Sequence, residues 1–260
     1  MKQVSLSGRV IVVTGGTQGI GAEIARDAAR AGAVGICVTG RNAANGAAVV
    51  AELEKLGSNA VFVAADLANA TETAAIMPAA LAAFGRVDGL VNAAGITDRG
   101  HIEDTSIELW DRMMAVNVRA PFILTQALVR QLKGAKRPGA IVNIITRSSH
   151  GGQPFLTAYS TSKGALATLT KNNAHALRAD RIRVNGINIG WADTPGEHAI
   201  QARDGKPADW LAAAEPNQPF GRLIKPDDVS TLAVYLLSDA SQMMTGALID
   251  FDQNVMGAYD

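Results

Sequence analysis

Residues 9–21 read RVIVVTGGTQGIG, and this stretch decides the fold. Val10, Ile11, Val12 and Val13 form a short unbroken apolar run. Such a run suits a strand buried on both faces of a parallel sheet. Thr14-Gly15-Gly16-Thr17-Gln18-Gly19-Ile20-Gly21 follows, then a helical pattern through Ala31. Strand, glycine-rich turn and helix in this order is the setting a dinucleotide site requires. Gly15 permits the tight turn, Gly19 lets a pyrophosphate approach the backbone, and Gly21 lets the helix pack close to the strand. The helix N-terminus adds free N–H donors and a positive dipole end. The glycine spacing is not the G-x-G-x-x-G of the standard fingerprint, so an ordinary strand-to-helix connection also fits these residues. A P-loop is disfavoured because no Gly-Lys-Ser/Thr follows.

The chain has 260 residues and is 48% hydrophobic, enough for a full core in one α/β domain over 1–260. Its 24 basic and 24 acidic side chains balance, which argues against nucleic acid or an anionic membrane surface as partner. Cys37 is the only cysteine, excluding a disulfide framework or a cysteine metal site, and no metal is expected. The N-terminal MKQVSLSGRV holds no apolar core of a signal peptide, and the apolar stretch 74–84 is too short to span a bilayer. A cytoplasmic protein is expected.

Strand and helix patterns alternate along the rest of the chain. Strands are predicted at 34–39, 60–64, 87–92, 139–146, 182–189 and 247–251, and helices at 43–56, 71–84, 106–132, 157–179 and 227–237. Gly57 and Gly85 read as helix C-terminal caps. Pro121 should kink the long region 106–132 or divide it in two. The pattern predicts a doubly wound, mainly parallel Rossmann-type sheet with helices on both faces. Residues 191–219 are irregular and hold four prolines, which reads as a substrate loop or lid, with short helices in it or not, and with core cover as the alternative.

Tyr159 and Lys163, in YSTSK, stand one helical turn apart on the same face. A phenol ordinarily titrates near pH ~10, and a neighbouring ammonium lowers that value. Tyr159 is therefore a candidate general acid or base.

With this pair in place the chain resembles the single-domain branch of the short-chain dehydrogenase/reductase family. The resemblance rests on TGGTQGIG at 14–21, Asp66, NAAG at 92–95, Asn117 in MMAVNV, YSTSK at 159–163, and Gly190 with Thr194. It implies that Tyr159 exchanges a proton with the substrate oxygen and that Lys163 binds the nicotinamide ribose. Asn117 would hold a water of the proton relay, with helix-interior polar satisfaction as the alternative. Asp66 would contact the adenine amino group or, in the alternative, cap a helix. Asn92 would brace the cofactor pocket, and Thr194 would meet the carboxamide. Gly15, Thr17, Gln18, Gly19, Ile20, Leu67, Ala93, Gly95 and Gly190 would line the cofactor.

Three departures stand out. Thr146 occupies the place of the family's serine, with Ser148 two residues on as the alternative donor. Ile189 replaces a proline before Gly190, and Asp252-Gln253-Asn254 replaces Asp-Gly-Gly, so the tail is free to run differently, as against a neighbouring subunit. No carboxylate ends the second strand. Gly40 stands where an NAD-selecting acid is expected, followed by Arg41, which can grip a 2′-phosphate. NADP is therefore expected over NAD, although a solvated Arg41 at a helix start also fits.

The chain is read as an oxidoreductase acting on a secondary alcohol or ketone. The alternative is a non-catalytic NAD(P)-binding sensor, disfavoured because Tyr159 and Lys163 are both present. Ser148, His150, Gln153, Trp191 and His198 are expected to border the substrate, and their polarity suits a sugar, polyol or hydroxy acid. A homotetramer is expected through the helices at 106–132 and 157–179, where Ala158, Gly164, Ala165 and Ala167 allow close approach or serve internal packing.

Overall fold

The computed structural model describes residues 4–257. The described strands are β1 (Val10–Thr14), β2 (Gly35–Gly40), β3 (Asn59–Ala64), β4 (Gly89–Asn92), β5 (Gly139–Thr146), β6 (Ile182–Ile189) and β7 (Leu248–Phe251). The described helices are α1 (Gly19–Arg30), α2 (Ala43–Lys55), α3 (Ala70–Phe84), α4 (Ile107–Met114), α5 (Ala120–Gly134), α6 (Thr157–Leu177), α7 (Pro195–Arg203), α8 (Trp210–Ala214) and α9 (Pro226–Leu237). The strands form one sheet in the order β3-β2-β1-β4-β5-β6-β7, and every neighbouring pair is parallel. The expected doubly wound sheet is present, parallel throughout.

The apolar run that opened the reading explains how two helical layers attach. Ile11 and Val13 point to one face and pack with α1, α2 and α9. Val10 and Val12 point to the other and pack with α3, α5 and α6. A strand covered on both sides must be apolar at every position, not at alternate ones. Cys37 on β2 lies in the second layer, where burial pushes its thiol up to about 12, so it packs as an inert apolar side chain. No described helix is long and apolar enough to cross a membrane.

Local signals hold closely. Gly57 and Gly85 follow α2 and α3 with φ of +91° and +73°. Asn69, not Asp66, caps α3, its side-chain oxygen accepting from the backbone of Thr71 and Glu72. The region 106–132 divides as expected, at a π-helical turn (Ala115–Arg119) between α4 and α5. Pro121 has no N–H to give the carbonyl of Asn117, so the regular ladder cannot run through.

Residues 191–219 hold short helices: Thr194 caps α7 by accepting from the Glu197 N–H at 3.1 Å, and α8 follows. At the C-terminal departure, Asp252 and Gln253 make their contacts within the chain, and Val255 and Met256 beyond them are exposed. The buried Asp252 carboxylate pairs with Arg147 at 2.8 Å, and the Gln253 side chain bridges the backbone of Phe220 and Arg222. Residues 258–260 lie outside the described part.

Candidate active site

The sheet reverses its direction of winding between β1 and β4, so their C-terminal ends part and leave a crevice. A cavity of about 1070 Å³ occupies it. Gly15 turns the chain there with φ of +64°, and a Cβ on it would meet Ala94 Cα at 2.8 Å. Above Gly19 the space is open, the nearest atom to a Cβ there being Thr194 Cβ at 3.6 Å. The close approach at Gly21 is to the carbonyl of Gly15 in the turn itself. Gln18, at the N-cap of α1, makes no side-chain cap, and the first turn carries no acid. The N–H groups of that turn are therefore left for an anion, and a dinucleotide pyrophosphate fits.

Most expected cofactor residues line this cavity: Gly15, Thr17, Gln18, Gly19, Ile20, Arg41, Asp66, Leu67, Ala93, Gly95, Gly190 and Thr194. Asn92 lies beneath it, buried, and donates to Asn143 Oδ1 at 2.8 Å. Asp66 keeps its own turn by accepting from the Ala68 N–H at 3.0 Å. The space beside Gly40 is filled by Thr17, whose Oγ1 would lie 2.6 Å from an added Cβ. An acid at position 40 would collide with the glycine turn. Arg41 borders the cavity, and no described carboxylate pairs with it.

Tyr159, Lys163 and Thr146 converge at the deep end of the cavity. Tyr159 and Lys163 come from α6, and Thr146 ends β5. The Thr146 side chain lies close enough to the Tyr159 hydroxyl to favour the phenolate. Lys163 Nζ donates to the Ile144 carbonyl at 2.8 Å and lies 5.9 Å from the centre of the Tyr159 ring. Burial pushes the phenol up to about 12; the nearby Thr146 hydroxyl opposes this and the Glu197 charge adds to it. This is opposite to the lowering expected from Lys163, because the ammonium shares the same dry site. Burial alone holds Lys163 down at about 8.

Asn117 is fully buried inside the π turn. Its Oδ1 accepts from the Ile96 N–H, and its Nδ2 donates to Ile96 O and Ser162 Oγ, each at 3.0 Å. The side chain is thus consumed in structure, and its main-chain carbonyl is the group deprived of a helical donor. A Cβ on Gly95 would meet both Asn117 Oδ1 and Lys163 Nζ at 3.3 Å, so these three positions converge behind the site.

The substrate-side expectations divide. Ser148, Gln153 and Trp191 line the cavity. Ser148 Oγ is occupied, donating to Gln153 Oε1 at 2.8 Å. His150 does not line it: the 3-10 turn Arg147–Ser149 swings it to Asp250 on β7, 2.7 Å away. His198 also misses the wall, held between Asp193 Oδ1 at 2.7 Å and Trp210 Nε1 at 3.1 Å. Glu197 and Gln201 stand on the wall instead. Sequence reasoning passed over both, although Thr194-Pro195-Gly196-Glu197 has the capping spacing that starts α7 and turns this face inward.

Comparison with known proteins agrees with this geometry. Residues 15–253 match a family model described as enoyl-(acyl carrier protein) reductase. The cis-4-hydroxycyclohexanecarboxylate dehydrogenase of Sinomonas cyclohexanicum is 35% identical over 94% of this chain and 95% of its own. The NADP-dependent (R)-specific alcohol dehydrogenase of Lentilactobacillus kefiri is 32% identical over 93% of this chain and 94% of its own. The crystal structure of a short-chain type dehydrogenase/reductase from Mycobacterium marinum superposes with a TM-score of 0.89 at 29% identity, covering 98% of each chain. The chain belongs to the short-chain dehydrogenase/reductase family, and it is an oxidoreductase that acts on a CH–OH group with a nicotinamide cofactor.

Proposed function

We propose that the enzyme interconverts a secondary alcohol and its ketone on a hydroxyl-rich substrate such as a sugar or polyol, and prefers NADP. The convergence of Tyr159, Thr146 and Lys163 on one cavity carries this reading. The cofactor supplies hydride transfer when bound. Tyr159 exchanges the proton with the substrate oxygen, and the Thr146 hydroxyl donates to that same oxygen and fixes its position. Lys163 holds the ribose hydroxyls and, brought close in charge to Tyr159, favours the phenolate that burial disfavours. The carbonyl of Asn117, without its helical donor, is the group suited to hold a relay water. The free Arg41 and the filled space at Gly40 support NADP. We read residues 191–219, with α7 and α8, as the substrate lid.

A homotetramer is the proposed assembly. Ala158 and Ala167 are buried within the chain and serve internal packing, whereas Gly164 and Ala165 remain on the outer face of α6. There Ala165 borders a shallow hollow with Met114, Val118 and the half-exposed Phe122. A light-scattering mass of one chain would overturn this assembly.

Tyr159→Phe should abolish turnover and leave cofactor affinity nearly unchanged, because only the phenolic oxygen is lost. Thr146→Ala should lower kcat by ~10²-fold, the scale of losing one positioned donor to a developing oxyanion. A larger loss for Ser148→Ala would move the donor role to Ser148. Arg41→Ala should raise KM for NADP far more than for NAD, and equal effects would count against the 2′-phosphate site.

Lys163 also links activity to stability. Its folded value of about 8 lies below the ordinary 10.5, so a buried ammonium destabilises the fold below about 8. That cost fades as pH rises towards 10.5, because the folded protein releases the proton before the unfolded chain does. Lys163→Met should therefore be inactive yet more stable than wild type at neutral pH, by about 1–3 kcal/mol. The gain should shrink in alkaline melts, and a less stable variant at neutral pH would contradict this account.

A further inference from the structure

Glu197 and Gln201 sit one turn apart on α7 and both line the catalytic cavity. Glu197 Oε1 is crowded: it accepts from Trp191 Nε1 at 2.9 Å and from Gln201 Nε2 at 2.6 Å, and Arg99 lies 3.6 Å away. Glu197 Oε2 has no protein partner among the described residues. A carboxylate only accepts, so it fixes the Gln201 amide with nitrogen towards Glu197 and oxygen away. Gln201 is only 4% exposed, and its Oε1 is likewise without a protein partner. Two neighbouring residues of the cavity wall therefore each carry an acceptor oxygen without a protein partner among the described residues.

This wall belongs to the reacting end of the cavity. The charge of Glu197 is near enough to Tyr159 to push the phenol up. Ile96 and Leu156 pack on Tyr159 and give the pocket an apolar side. Phe155 lies beneath the Arg99 guanidinium, 5.6 Å from its centre, and Arg99 itself is committed to Asp204 at 2.8 Å. Arg112 and Lys206 border the same cavity but are exposed. Arg99 already stands against the Glu197 carboxylate, so the wall favours a neutral hydroxyl over a cationic group.

We propose that Glu197 and Gln201 determine specificity by accepting hydrogen bonds from a second hydroxyl of the substrate, so that the enzyme selects neutral diols and polyols over monoalcohols and hydroxy acids. A substrate carboxylate would bring its own lone pairs against two acceptors. A monoalcohol would leave both acceptors desolvated and unpaired, the arrangement that gives strong rejection of a substrate lacking the group. This narrowing rests on the alcohol-oxidation reading above.

Steady-state kcat/KM of the full-length enzyme with saturating NADP, and again with NAD, tests it on cyclohexanol, a vicinal cyclohexanediol, a hydroxycyclohexanecarboxylate and the methyl ester of that acid. The diol should exceed cyclohexanol by about 10-fold or more, the scale of a hydrogen bond to a charged group. The ester should exceed the acid. Glu197→Gln keeps an oxygen for Trp191 and presents an N–H to the cavity, so within the variant the diol-to-cyclohexanol ratio of kcat/KM should fall to about 1 and the acid should rise relative to the ester, whatever the change in overall rate from the lost charge beside Tyr159. Wild-type preference for cyclohexanol over the diol, or for the acid over its ester, overturns the inference, the latter pointing to Lys206 and Arg112 as a carboxylate site. The wild-type ratios decide this even if the variant does not fold. Absence of turnover on every alcohol with both cofactors overturns the alcohol reading itself, and the specificity inference with it.

Discussion

The hydroxyl of Thr14 holds the place where the fold changes direction. Strands β1 and β4 are paired up to Thr14 and Asn92 and must then diverge, because the chain winds outward on opposite sides of that line. Thr14 Oγ1 accepts from the N–H groups of Ala93 and Ala94, each at 3.1 Å, and lies 3.4 Å from Val91 O. One buried side chain thus pins the two backbones as they separate. Gly15 turns immediately beyond it towards α1, and Gly95 continues towards Asn117 and Lys163. The distance between phosphate cradle and catalytic helix is set by this staple, and a misplacement there would be carried to both ends of a bound dinucleotide.

From that line a chain of buried polar contacts runs under the site. Asn92 donates to Asn143, Asn143 donates to Thr170 at 2.8 Å, and Thr170 donates to the Leu166 carbonyl at 2.8 Å. A second chain links Asn117 to Ser162 and Ser162 to the Tyr159 carbonyl at 2.7 Å. Both end on α6, the helix that carries Tyr159 and Lys163. Each unmade bond in such a dry setting costs about 1–3 kcal/mol, so the helix has little freedom to rotate or slide. Rigidity matters because burial weakens the Lys163 ammonium, which keeps one hydrogen bond of its own, to the Ile144 carbonyl, so its position depends largely on its neighbours.

What was legible in the sequence follows the range of the physics involved. Apolar runs, caps and the divided region at Pro121 depend on neighbours within a few residues, and β1, β5, β6 and the glycine caps were read where they lie. The cofactor side was legible because a turn, a helix start and strand ends are local features repeated in a fixed order. The substrate side was not. His150 is adjacent to Arg147 and Ser148 in sequence, yet a single 3-10 turn sends it to a strand 100 residues away. Asp252 and Gly190 shape one another, since the buried carboxylate occupies the space a side chain at 190 would need. No periodicity encodes such pairings, and polarity alone did not separate Glu197, which faces the cavity, from His198 beside it, which does not.

The segment over the cavity is held unevenly. At its base, Lys225 bridges Asp193 at 2.9 Å and Glu215 at 2.7 Å, Asp193 holds His198, and His198 accepts from Trp210, whose ring stacks on Trp191 with centroids 5.6 Å apart. This joins the start of α7, α8 and the approach to α9 into one connected body. At its tip, α7 meets the loop after β4 through Arg203–Asp98 and Arg99–Asp204, pairs that retain a quarter to a half of their side-chain exposure. Such pairs contribute about 0–1 kcal/mol each and weaken with salt. The tip is therefore the more weakly held end. On the lid reading proposed above, opening there would lift Glu197 and Gln201 away from Tyr159 and leave the glycine turn in place, so that recognition and closure would share one short helix, separate from the buried staple at Thr14.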